Sequence, residues 1–120
     1  MNDPIVLPGD ECDVMNADWG QLTWFANRKL GNSGDVTVGR CIIKPGCSNP
    51  VHSHPNCAEV LVVISGKIAH SIGGGKDAEM SEGDVVTVPA NFVHRAKNIG
   101  TTDAVLFIVF TSADRQVKGE

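Results

Sequence analysis

Short apolar runs fenced by turn residues dominate this chain. They fall at 22–26, 36–43, 60–64, 68–72, 85–88 and 104–110. Between them stand Gly31-Asn32-Ser33-Gly34, Pro45-Gly46, Ser65-Gly66, Gly73-Gly74-Gly75 and Gly83-Asp84. Valine and isoleucine prevail in the runs, and none lasts long enough for an ordinary helix. Many brief β-branched segments at close spacing specify an all-β chain, folded as a sandwich or a closed barrel. A length of 120 residues leaves room for one such domain with its own core. Residues 1–20, with Asp10, Glu11, Asp13 and Trp19, read as an irregular N-terminal arm that ends by docking Trp19. Residues 21–112 form the barrel, and the polar stretch 113–120 reads as a fraying tail.

Charge and hydropathy exclude several functions. The net charge is −4 with the acids scattered, so there is no basic footprint for nucleic acid. No apolar run approaches the length of a membrane-spanning helix. The opening residues carry Asp3 where a secretory leader carries bases, which predicts a cytoplasmic protein. Cys12, Cys41, Cys47 and Cys57 contain no C-x-x-C pair, and in a reducing compartment they are expected as free thiols.

His52-Ser53-His54 is the sharpest local signal. In extended backbone, residues two apart point to one side, so both imidazoles can converge on one ion while Ser53 turns away. Glu59 opens the next apolar run and His94 follows Pro89. Three imidazoles and a carboxylate form a borderline donor set suited to one divalent ion of Fe, Mn, Ni, Co or Zn. Octahedral coordination by four protein groups leaves two positions open for small molecules. Read as a two-residue hairpin loop, Ser65-Gly66 pairs Leu61 with His70 and Glu59 with Ile72. That register puts Glu59, Leu61, Ile68, His70 and Ile72 on one face.

A frame of glycines surrounds these residues. Gly46 is followed after five residues by His52-Ser53-His54, then after four by Glu59 and after six by Gly66. Gly83, five residues, Pro89, one residue, Asn91, two residues, His94, three residues and Asn98 form a second block. The two blocks resemble the paired motifs of the cupin superfamily. Asn91 stands where that pattern usually has glycine, and asparagine is the next most tolerant residue at positive φ. The resemblance implies a small single-domain cupin, a double-stranded β-helix or jelly-roll barrel, with metal ligands His52, His54, Glu59 and His94.

The remaining pocket residues follow from parity. His70 falls where an apolar residue is expected, and its near-neutral intrinsic pKa suits proton transfer, which makes it the candidate catalytic group. Arg40 alternates with Val36, Val38 and Ile42; if that set faces inward, its fork can hold a substrate carboxylate. Gln21 is a second candidate substrate contact, at the barrel mouth. Trp24, Phe25, Phe92, Phe107 and Phe110 read as core. The expected function is a metal-dependent enzyme on a small anionic or enolisable molecule, dioxygenase-like or a decarboxylase or isomerase. The alternative is a binding module that holds metal and a small ligand without turnover. Strand edges left to cover predict a homodimer.

Overall fold

The computed structural model describes residues 3–119. After a single 3-10 turn at Gly9–Glu11, nine strands follow: β1 Asp13–Ala17, β2 Gly20–Ala26, β3 Thr37–Ile43, β4 Glu59–Ser65, β5 Ile68–Gly73, β6 Lys76–Met80, β7 Val85–Val88, β8 Ala96–Asn98 and β9 Ala104–Phe110. They form a six-stranded sheet in the order β1-β2-β3-β9-β4-β7 and a three-stranded sheet in the order β6-β5-β8. All strand pairs are antiparallel. Among the described residues, no helix is long and apolar enough to cross a membrane.

Side-chain alternation builds the interior. Along β3 the buried residues are Thr37, Gly39, Cys41 and Ile43, and along β9 they are Ala104, Leu106, Ile108 and Phe110. Register pairs Cys41 with Leu106 and Leu61 of β4 with Ile108, so inward side chains stack across three adjacent strands. Ile68 and His70 of β5 close the barrel from the other sheet, both buried. Phe25 and Phe107 depart from the core expectation. They stack on the outer face at 6.1 Å, and Arg40 caps Phe25.

The Ser65-Gly66 hairpin does not form. Both flanks of β4 are occupied, by β9 and β7, whereas β5 pairs with β6 and β8 in the other sheet. A bulge at Val63–Ser65 bends the chain at the crossing. Gly66 sits there at φ 90°, and a Cβ would come within 2.9 Å of the Ala104 backbone, so no other residue fits without strain. Glu59, Leu61, Ile68 and His70 do face inward, but Ile72 is 53% exposed. The real hairpin turns one step later, at Gly73-Gly74-Gly75, between β5 and β6.

Both termini are more ordered than polarity alone suggests. The arm contributes β1, which pairs along β2 and, among the described residues, has no strand on its outer edge. Trp19 packs against the core. Beyond β9 the chain does not fray. Ala113 is buried, and Ser53 and Lys118 exchange backbone hydrogen bonds of 2.9 Å. Residue 120 lies outside the described residues.

Candidate metal centre

The ligands are positioned by backbone pairing. His52 and His94 exchange backbone hydrogen bonds, 3.0 Å from His52 N to His94 O and 2.8 Å in return. Ser53 turns its own N–H and C=O to Lys118 on the opposite flank. Segment 52–53 is therefore clamped between residues 94 and 118, and the H-x-H alternation sends both imidazoles to the same side. Asn91 takes the positive φ, 68°, and its N–H donates to His54 O at 2.9 Å, which sets the turn that delivers His94. Glu59 starts β4 between Val88 of β7 and Phe110 of β9, a rigid interior position.

Each ligating ring is aimed by a second hydrogen bond. His52 Nδ1 donates to Pro50 O at 2.6 Å, His54 Nδ1 to Gln116 O at 2.8 Å, and His94 Nδ1 to Phe92 O at 2.8 Å. A carbonyl only accepts, so in each neutral ring the proton sits on Nδ1 and the Nε2 lone pair is left for the ligand cluster around Glu59. Glu59 Oε1 lies 3.1 Å from His94 Nε2 and 3.5 Å from His54 Nε2, the latter too long for a good hydrogen bond. One donor atom from each of His52, His54, Glu59 and His94 falls within 4.8 Å of the others, and all four residues are buried. Ligands about 2.1 Å from a common ion stand roughly 3.0 Å apart when cis and 4.2 Å when trans, so this spacing fits one cation. These four residues form a site for one divalent transition metal.

Electrostatics prepare the donors. Burial pushes the Glu59 carboxyl upward, but its close contacts with the His54 and His94 imidazoles outweigh it and bring it down to about 2. Burial, reinforced by the neighbouring imidazoles, takes His52 down to about 4, so it is neutral near pH 7. Burial also presses on His94, yet its bond to Glu59 prevails and raises its pKa above the ordinary value. The thiol of Cys41 is pushed up to about 12, first by burial and then by Glu59, and is inert as an acid.

A cavity of 30 Å³ opens on His52, His54 and Glu59, with Asn49, Leu61 and Arg115 on its walls. One water needs roughly 10–15 Å³ on this measure, so the space takes a molecule of few atoms.

The other candidates land elsewhere. His70 is 1% exposed, but it stacks behind His94 with ring centroids 5.5 Å apart and does not line this cavity. Its Nδ1 donates to Ser71 O at 2.8 Å, and burial lowers its pKa. Arg40 occupies the outward parity of β3, over Phe25 and 3.5 Å from Thr23 Oγ1. Gln21 pairs with outward-facing Ile42 and donates to Asn16 Oδ1 at 2.9 Å. Neither reaches the cavity, because Cys41 and Leu22, their chain neighbours, hold the inward parity. Missed altogether was Arg115, which lines the cavity from the segment expected to fray. In sequence, apolar Ala113 and Val117 alternate with polar Asp114, Gln116 and Lys118, and the structure makes Ala113, Arg115 and Val117 the less exposed parity.

Comparison with known proteins agrees with this geometry. The family model described as Cupin domain matches residues 39–110, and the chain belongs to the cupin family. Oxalate oxidase GF-3.8 of Triticum aestivum is 28% identical over 107 residues, covering 83% of this chain and 46% of that protein. The chain thus spans less than half the length of the curated relatives it matches. The Lactobacillus farciminis oxalate decarboxylase, solved as a formate complex, superposes with a TM-score of 0.82 at 17% identity. That match covers 92% of this chain and 34% of the decarboxylase. An uncharacterised Klebsiella pneumoniae protein with a double-stranded β-helix domain superposes at 0.77 and 20% identity, over 97% of this chain and 96% of its own.

Proton competition follows from the raised pKa of His94. Below that pKa the ring must lose a proton to bind metal, so affinity falls about tenfold per pH unit on acidification, while Glu59 and His52 stay ready above pH 5. Isothermal calorimetry with Mn(II) between pH 8 and 6 measures this. A flat profile contradicts the role of His94.

Proposed function

We propose that this cupin is a metal-dependent enzyme acting on a small carboxylate anion, in oxidoreductase or decarboxylase chemistry. The observation that carries the reading is the buried set of three imidazoles and one carboxylate, of which His52, His54 and Glu59 line a cavity of 30 Å³. A divalent ion bound there supplies Lewis acidity to substrate oxygens and, if redox-active, an electron-transfer route.

The chain's own groups do the rest. Glu59 stays ionised and lowers the site's positive charge by one, leaving it attractive to an anion. His52, His54 and His94 keep fixed orientations because their Nδ1 protons are committed to carbonyls, so substrate binding requires no reorganisation of the donors. Leu22, Leu61, Leu106 and Ile108 line the cavity and limit water, which strengthens charge interactions inside it. The relatives named as oxalate oxidase and oxalate decarboxylase support a small carboxylate as substrate. A second reading, a binding module without turnover, is favoured by one observation: His70 does not line the cavity, so among the described residues no imidazole beyond the ligands is there to shuttle protons.

Turnover distinguishes the two. Protein loaded with Mn(II) or Fe(II) and given oxalate, with and without dioxygen, is expected to release carbon dioxide. Binding of oxalate with no product from either metal supports the binding module instead.

The enzyme reading includes a homodimer. β1, with no strand on its outer edge among the described residues, carries Val14 and Met15, 51% and 47% exposed, and such an edge is a template for a second copy. Light scattering is expected to give twice the chain mass of 12.7 kDa. A monomer at micromolar concentration overturns the dimer.

A further inference from the structure

Segment 112–118 crosses the cavity side of the barrel and is pinned along its length. Arg28 Nε holds the Asp114 carboxylate at 2.8 Å. The Asn56 amide donates to Asp114 O and accepts from Gln116 N, both at 2.9 Å. Gln116 O takes the Nδ1 proton of His54, and Lys118 pairs with Ser53. The residue between these anchors is Arg115. Its guanidinium lies 4.6 Å from the Trp24 ring centroid and 5.2 Å from that of Phe110, the cation–π range. Among the described residues it is the one lysine or arginine that lines the metal cavity.

We propose that Arg115 is the anion-recognising residue of this site, holding a carboxylate of a small anionic substrate beside the metal. The assignment rests on the metal-dependent reading above. A divalent ion with the Glu59 carboxylate leaves one net positive charge at the ligand cluster, which favours an anion over a neutral molecule. Geometry selects a carboxylate, because the planar fork of a guanidinium matches two oxygens and keeps its charge at any working pH. The field of Arg115 reaches the interior. Burial raises the Cys41 and Cys57 thiols, and the nearby guanidinium acts against that rise in both. The same segment supplies the carbonyl that orients His54, so docking of 112–118 completes the ligand set and the anion site together.

Calorimetry on Mn(II)-loaded protein tests this, with oxalate as the anion and imidazole as a neutral metal ligand. Arg115→Gln is expected to weaken oxalate about tenfold or more, the scale of a lost charge-assisted hydrogen bond. Arg115→Lys, which keeps the charge and loses the fork, is expected to fall between Gln and the parent. Mn(II) uptake stays stoichiometric in both variants, and imidazole affinity stays within about twofold. Oxalate binding to Arg115→Gln as tight as to the parent overturns the assignment, as does equal weakening of oxalate and imidazole. A parent protein that takes up no Mn(II) overturns the metal-centred reading as well, and so separates the two failures.

Discussion

Three hydrogen bonds from imidazole Nδ1 to backbone carbonyls govern this molecule. They commit each ring to one tautomer and turn each Nε2 toward Glu59. Without them the buried rings could rotate or swap tautomers, and the donor set would lose its focus. The carbonyls belong to Pro50, Phe92 and Gln116, two in loops that carry the ligands themselves and one in the segment after the last strand. The barrel supplies rigid walls, but these local bonds convert its interior into a site.

The arrangement is costly unless a cation is present. Burying one carboxylate among three imidazoles strips all four of water. The polypeptide answers in part by sharing a proton between Glu59 and His94, which explains why their pKa values move in opposite directions. A divalent ion satisfies all four donors at once. Metal binding therefore contributes directly to the stability of the folded state.

Much of this was legible in the sequence, for identifiable reasons. The H-x-H spacing works because extended backbone alternates, and His52 and His54 do share a side. Asn91 adopts the positive φ that its place in the second motif demands. Six apolar runs became strands because each has one face to bury. Strand pairing was not legible: a Ser-Gly link fits a hairpin as well as a sheet crossing, and only the long-range claims of β7 and β9 on β4 decide between them. β1, β6 and β8 escaped notice because edge and solvent-facing strands carry polar residues such as Asp77 and Glu79. Arg40 and Arg115 show the same limit. Two consecutive isoleucines left the parity of β3 open, while the polar character of residues 112–118 hid a segment held by partners far off in the chain, Arg28, Ser53 and Asn56.

The central claim is that one cation is held by three imidazoles and one carboxylate, with the cavity thiol of Cys41 taking no part. X-ray absorption on the zinc-loaded protein reads that shell directly. The account predicts nitrogen and oxygen scatterers near 2.0–2.2 Å with the multiple-scattering pattern of three imidazoles. A sulfur scatterer near 2.3 Å, or fewer than three imidazoles, contradicts it.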